Sequence, residues 1–594
     1  MKREEQKQEN CWAIEDLYRT DKAWQKDYDR LCEEIPRLSS YAGKLADDTA
    51  TLVEFLDLQA ELSLLGERLY VYANQRLHEN TGNAVYQELS GKIMTLLVKM
   101  DAETSFFCPE LFDIPQEKIE AAMEKSEKLL FYRRYLSELY RKKEHILSDE
   151  MEEVLANAGE MADSPSDIFS MFNNADIRFD AVTDENGTVR EVTHGSFITL
   201  LEDKSRKVRS DAFHSLYSQY EKYKNTLAAM YRANVKQYAF FAKTRKFDSL
   251  LSYGLSGSHI PNEVYHQLID TVNEYLPLMH RYVSLRAKCL GVQELHMYDL
   301  YVPMVEGVAL KIPFEEAKKI VYDGLAPLGD DYRKILTEGF TNRWIDVYEN
   351  EGKRSGAYSW GAYGTHPYVL LNYQDNLNNV FTLAHEMGHA LHSYFSDEAQ
   401  PYIYAGYRIF VAEVASTCNE SLLIHYLLEH AKSREEKAYL VNYFLDQFKG
   451  TLFRQTMFAE FEEITHRMVE EGKTLTPENI CEIYYDLNKK YYGSEMHIDE
   501  EIAMEWARIP HFYTPFYVYQ YATGFSAAIA ISRKILAGDQ DVLSGYKKFL
   551  QSGGSLDPID LLKLAGVDMT KKEPIVEAMG LFEQLLDEMD KLCR

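Results

Sequence analysis

The string His385-Glu386-Met387-Gly388-His389 brings two imidazoles and a carboxylate within five residues. At helical period, His385 and His389 lie one turn apart on one face. Two imidazoles so spaced can hold one zinc ion, with Glu386 beside its open coordination position. Neutral His ligands leave the metal a strong Lewis acid, and a nearby carboxylate can take a proton from the water it activates. By accident the string arises in roughly one chain in twenty of this length, as a surface helix with two solvated His. The flanks oppose that reading. Phe381, Leu383, Ala384, Met387, Ala390 and Leu391 are apolar on most sides, so the helix is largely buried. A buried pair of His needs partners, and a metal supplies them. Gly388 costs about 1 kcal/mol relative to Ala inside a helix, so another element is expected close to the backbone there.

A third protein ligand is required. The extended pattern HExxHxxGxxH wants Gly at 392 and His at 395, where this chain has His392 and Phe395. The metzincin type is thereby excluded, and a Glu from the next helix is the common alternative. The first helix should stop near Ser396-Asp397, with Pro401 in a loop, and the next should start near Arg408. If the two run antiparallel, His389 lies roughly 9 Å back from the first helix's end and Glu413 roughly 8 Å into the second. They come level. Glu420, two turns further on the same face, is better placed to accept a hydrogen bond from a ligand His or to be a buried structural acid. His392 fits a packed or supporting role better than a fourth ligand.

The elements that must position these residues are mostly helical. Leu52–Leu77, Asn262–Leu290, Tyr439–Phe448 and Phe458–Val469 all space apolar residues at three and four. Strand signals are few: Ile177–Thr183 and Thr188–Thr193 around Asn186-Gly187, and the segment Ala357–Tyr373 with its run Tyr368–Leu371. The fold class expected is mainly α, with a small β-hairpin or sheet element near the zinc site. Residues 1–200 should form an N-terminal helical lobe ending in the hairpin, and 201–594 the catalytic domain.

Composition narrows the function. The 594 residues are too many for one compact core. A net charge of −29 repels phosphate backbones and anionic membranes, so nucleic acid and membrane are not expected as partners. The uncharged stretch Ile509–Ser532 contains Pro515, Gln520 and Gly524 and reads as a buried, polar-rich wall rather than a membrane span. Seven scattered Cys without a CxxC pair suggest neither a disulfide scaffold nor a thiolate zinc knuckle. The first ten residues carry no apolar core, so a cytoplasmic protein is expected.

Four strings then resemble oligoendopeptidase F, of the thimet oligopeptidase superfamily of zinc metallopeptidases. They are GKRSGAYSWGAYGTHPYVLLNY from Gly352, FTLAHEMGHALHSYF from Phe381, FVAEVASTCNES from Phe410, and HFYTPFYVYQYATGFSAA from His511. The resemblance implies His385, His389 and Glu413 as ligands of one zinc ion per chain, and Glu386 as catalytic base. It implies two helical lobes around a deep substrate channel, and short oligopeptides as substrates. It also implies that His511, Tyr517, Tyr519 and Tyr521 contact substrate and the developing oxyanion. Gly356, Tyr358 and Tyr363 would sit on a strand edge that pairs with substrate backbone. The reaction implied is hydrolysis of internal peptide bonds by zinc-activated water, with Glu386 moving the proton. No GxSxG elbow appears, and Cys418 reads as a buried thiol. Two rivals remain. A helical zinc carboxypeptidase or dipeptidyl carboxypeptidase would use Lys353 and Arg354 to hold a terminal carboxylate. A non-catalytic peptide-binding protein would keep the helix pair for structure alone. The sequence is silent on oligomeric state.

Overall fold

The computed structural model describes residues 2–305 and 311–593. Helices dominate it, as the apolar periodicity requires. In chain order the elements used below are helix α1 (Thr49–Glu79), hairpin strands β1 (Val182–Thr183) and β2 (Val189–Arg190), helices α2 (Asn262–Glu274) and α3 (Leu276–Leu290), strand β3 (Leu295–His296), strands β4 (Ile345–Asp346), β5 (Tyr358–Trp360) and β6 (Tyr368–Leu370), helices α4 (Leu377–Ala399) and α5 (Ile409–Glu429), strand β7 (Met496–His497) and helix α6 (Tyr519–Leu536).

The chain condenses into two compact units, each built from three stretches. One comprises Met1–Asp149, Leu310–Leu423 and Lys534–Gly566; the other comprises Glu150–Ala309, Ile424–Arg533 and Val567–Arg594. Residue 200, where the lobe boundary is expected, therefore falls inside the second unit. Compaction follows spatial contact, and here the chain returns to each unit after leaving it.

In the first unit, a core of α1 residues such as Phe55, Leu62 and Leu69 includes Trp12, Trp24, Tyr368 and Leu370. The sheet has order β4-β6-β5, with β4 parallel and β5 antiparallel to β6. Its register pairs Tyr358 with Leu370 and Trp360 with Tyr368. Strand β5 is thus an edge. Helix α4 packs against both β5 and β6, which fixes the helix bearing His385 and His389 over the sheet.

In the second unit, the hairpin turns at Gly187, whose φ of +81° suits only glycine well. Its paired strands are shorter than the sequence pattern suggests: Val182 opposes Arg190 and Thr183 opposes Val189. Thr193 leaves the ladder to cap the next helix through Ser196. The expected long helix Asn262–Leu290 is two helices. Pro277 lacks an N–H to donate, and the chain breaks at Tyr275 and restarts with Pro277 in the first turn. Cys289 and Cys593 form a disulfide across 304 residues. Local spacing carries no trace of such a pair. The other five Cys are free, and Cys418 is buried as expected. Among the described residues, no helix is long and apolar enough to cross a membrane. The uncharged stretch enters α6, where Thr523, Ser526 and Ser532 are buried beside Ala and Ile.

Candidate metal centre

Helix α4 opens on Asn376, whose side chain accepts from the Asn379 N–H. It then buries Val380, Phe381, Leu383, Ala384, Met387 and Ala390. Gly388 meets α5 directly. A Cβ added there would lie 2.6 Å from Ser416 Cα and 2.9 Å from the Ala415 carbonyl oxygen. One turn earlier, the Ala384 carbonyl accepts from Asn419 Nδ2 at 3.1 Å. Stepping back along α4 moves forward along α5, so the two helices run antiparallel. Asn419 is itself held by Tyr332 Oη at 3.0 Å. Asn419, Ser416 and Tyr332 are positioning residues that the sequence reading did not single out.

The Gly388→Ala variant should therefore force α4 off α5. The close neighbours are backbone atoms that cannot rotate away, and overpacking of this kind costs about 1–3 kcal/mol. Differential scanning of the metal-free variant should show a lower Tm, and zinc titration a weaker affinity. An unchanged Tm would mean that the two backbones tolerate separation.

The antiparallel register brings the predicted ligands together. His385 Nε2 lies 3.4 Å and His389 Nε2 3.5 Å from one oxygen of Glu413, Oε2. All three donor atoms lie within 4.8 Å of one another. Donors about 2.1 Å from a tetrahedral ion stand about 3.4 Å apart, so the Glu413 spacings fit zinc. On the far side of its ring, His385 Nδ1 lies 3.3 Å from Glu420 Oε1. That contact favours the tautomer whose Nε2 lone pair faces the centre. Ser416 Oγ donates to Glu413 Oε2 at 3.0 Å.

Electrostatics tell the same story. Burial opposes charge on His385, yet Glu420, Glu386 and Glu413 raise its pKa to about 9. Burial would also raise Glu413, but His389, His385 and Ser416 hold it at about 2. The carboxylates demand a cation, and without a metal a proton supplies it. Glu386 is only 7% exposed. Its Oε2 has no hydrogen-bond partner among the described residues. Burial raises its pKa, against the pull of His385 and His389. His392 takes no part in the donor group. It is buried and stacks on Tyr407 with centroids 3.7 Å apart. Burial and His389 lower its pKa to about 3.

The strand residues lie in the same unit. Gly356 has φ +86° just before β5. Tyr358 Oη contacts His78 Nδ1 at 2.7 Å. Tyr363 donates its backbone N–H to Glu67 at 2.8 Å and its hydroxyl to the Gln400 carbonyl at 2.9 Å. It lines a cavity of about 270 Å³ shared with Ser393 and Asp397 of α4. The Lys353 side chain is fully buried and paired with Asp346 at 2.7 Å. Arg354 contacts His78 Nε2 at 2.8 Å. Both groups are engaged, which speaks against their holding a substrate carboxylate.

The aromatic segment belongs to the second unit. His511 lies beside Tyr517 and Tyr521, ring centroids 6.0 Å away in each case, and its Nε2 is 3.5 Å from Tyr521 Oη. Burial and Arg454 lower the His511 pKa, which favours its neutral form. Tyr519 is not with them. It is buried against Tyr265, centroids 5.1 Å apart, where a core position explains it. Phe516 takes φ +58°, unusual for a bulky residue, and its N–H donates to the buried Glu462 at 2.9 Å. Glu462 is a second anchor that sequence reasoning missed, though an acid inside FAEFEEITH was its visible sign.

A mainly helical chain with a His-His-Glu centre on two antiparallel helices has the makings of a metallo-oligopeptidase. Residues 199–581 match the model of Peptidase family M3, and residues 110–179 match the model described as Oligopeptidase F. The chain belongs to peptidase family M3. It is 48% identical to Oligopeptidase PepF of Bacillus subtilis over 590 residues, covering 99% of this chain and 88% of that protein. It is 40% identical to Group B oligopeptidase PepB of Streptococcus agalactiae, covering 98% and 96%. Among solved structures, a putative peptidase from Chlamydophila abortus superposes with a TM-score of 0.93 at 36% identity, covering 100% and 99%. Oligoendopeptidase-F from Enterococcus faecium gives 0.76 at 38% identity, covering 96% and 99%. The mainly α fold and the likeness to oligoendopeptidase F expected from the sequence are borne out, and the chain is a metallo-oligopeptidase.

Proposed function

We propose that this peptidase is a zinc-dependent oligoendopeptidase that hydrolyses internal bonds of short, unfolded peptides. One observation carries the reading: donors of His385, His389 and Glu413 converge within 4.8 Å of one another, both imidazoles at zinc-ligand spacing from Glu413, beside a buried Glu386 with a free oxygen. Zinc held there would supply Lewis acidity, polarising a carbonyl and acidifying a water. Glu386 takes the proton of the attacking water on that oxygen. Its raised affinity for protons lets it keep this one until the leaving amine accepts it. Glu420 steadies the His385 ring throughout. For the developing oxyanion, the resemblance to oligoendopeptidase F supports His511, Tyr517 and Tyr521 as donors, while Tyr519 serves packing. The edge at β5, with Gly356 and Tyr358, is suited to pairing with substrate backbone, and Tyr363 with the adjoining cavity to a side chain. We place the protein in the cytoplasm.

Internally quenched peptides with free and amidated C-termini test this reading. Cleavage should occur at an internal bond, stop with chelator, return with zinc, and proceed alike on both peptide forms. Strong preference for the free carboxylate would favour the carboxypeptidase rival instead. Chelator-insensitive cleavage would defeat the metal mechanism. No cleavage at all would favour the peptide-binding protein.

A further inference from the structure

A second cluster of metal-binding side chains lies in the other compact unit. Strands β3 and β7 pair in parallel, with Leu295 opposite Met496 and His296 opposite His497. Side chains alternate across a strand, so paired residues share a face. Leu295 and Met496 are buried on one face. His296 and His497 then share the other, and their ring centroids are 4.4 Å apart. Two residues along from each, Glu294 and Asp499 fall on that same face. Glu294 reaches both rings: Oε2 is 3.4 Å from His296 Nε2, and Oε1 is 3.4 Å from His497 Nδ1. Asp499 Oδ1 lies 2.8 Å from His296 Nδ1. Asp499 is anchored from behind, its Oδ2 accepting from the Met297 N–H at 2.8 Å.

The chemistry of this set is specific. A neutral imidazole has one N–H. Asp499, at ideal hydrogen-bond distance, takes the one on His296 Nδ1. The Nε2 lone pair is thereby turned toward Glu294, which has no proton to offer. The two Glu294 contacts are longer than good hydrogen bonds. Each is made by a different carboxylate oxygen and lies within the separation of two ligands on one ion, which a carboxylate can bind through either or both oxygens. A carboxylate behind a ligand His also repeats the His385–Glu420 arrangement of the first centre. The neighbouring Arg206 is committed elsewhere: it pairs with Asp299 at 2.8 Å and donates to the Glu294 carbonyl at 2.6 Å. His497 and Asp499 also line a cavity of about 610 Å³ whose walls include Glu221, Glu500 and Glu501. That acidic mouth draws cations in and leaves room for water on the ion.

We infer that His296 Nε2, His497 Nδ1 and the Glu294 carboxylate bind a second divalent cation of the zinc type, with Asp499 orienting His296. Two imidazoles and one carboxylate suit borderline metals over calcium or magnesium. The half-exposed His497 and the open Glu294 make it a weaker, exchangeable site. Bound metal staples the strand after α3 to the segment around 497, some 200 residues on.

Equilibrium dialysis of the full chain against Zn²⁺ alone tests this, with bound metal counted by atomic absorption. Wild type should take two equivalents, Glu413→Ala one, His296→Ala/His497→Ala one, and the combined variant none. Added zinc should also raise the Tm of Glu413→Ala but not of the combined variant. The inference is overturned if His296→Ala/His497→Ala retains as much zinc as wild type, or if wild type takes one equivalent that Glu413→Ala abolishes. Should the double variant not fold by circular dichroism, Glu294→Gln, at an exposed position, decides the matter: weak-site affinity falls at least tenfold, or the assignment is wrong. Retention of both equivalents by Glu413→Ala would count against the first centre's ligand set and leave this site to be judged by its own variants.

Discussion

Glu386→Gln should lower kcat by a factor of about 10²–10⁴ while zinc occupancy and KM stay near wild type. That loss corresponds to about 3–5 kcal/mol in the barrier. The substitution preserves shape, which matters for a side chain only 7% exposed. It removes one ability, the acceptance of a proton on the oxygen that faces no partner. Glu386 is not among the three donors grouped at the centre, so its change spares the ligands. A drop in kcat and kcat/KM together marks a group that acts in the transition state. Steady-state kinetics on a quenched peptide, beside metal analysis of the same sample, reads both quantities. A variant that keeps its zinc and cleaves at the wild-type rate would remove Glu386 from the chemistry.

Sequence and fold agree where the determinant is local. The one-turn spacing of His385 and His389 is a helical fact, and so is the stop before Pro401. Gly388 shows how far a single residue can reach. Its cost inside a helix predicts a close neighbour, and the neighbour is the backbone of Ala415 and Ser416. The level meeting of His389 and Glu413 needs only loop length and antiparallel packing. What stayed hidden depends on partners far away in sequence. Nothing near Cys289 points to Cys593. Nothing in an alternating Tyr run says that Tyr519 turns to Tyr265 while Tyr517 and Tyr521 turn to His511. His296 and His497 each look like lone histidines until a two-residue parallel pairing sets them side by side. The break at Tyr275 was legible in Pro277, but the apolar periodicity running through it masked the signal.

Glu413→Ala should abolish zinc retention at the His385–His389 centre and with it peptide cleavage, and its comparison with Glu420→Ala separates holding a metal from steadying a ligand. Glu413 offers the oxygen equidistant from both imidazoles and is held ionised by them. Without it the site keeps two neutral donors and no anionic one, while Ser416 loses its acceptor on that side chain. Glu420 touches only the outer nitrogen of His385. Losing it frees the ring to turn and to change tautomer, and such losses weaken a metal site by about 10–100-fold. Excess zinc should therefore restore activity to Glu420→Ala and leave Glu413→Ala inactive. Competition with a chromophoric chelator gives the two affinities, and the quenched-peptide assay gives the rescue. Zinc rescue of Glu413→Ala to the wild-type rate would show that two imidazoles suffice, and the third ligand would have to be sought elsewhere.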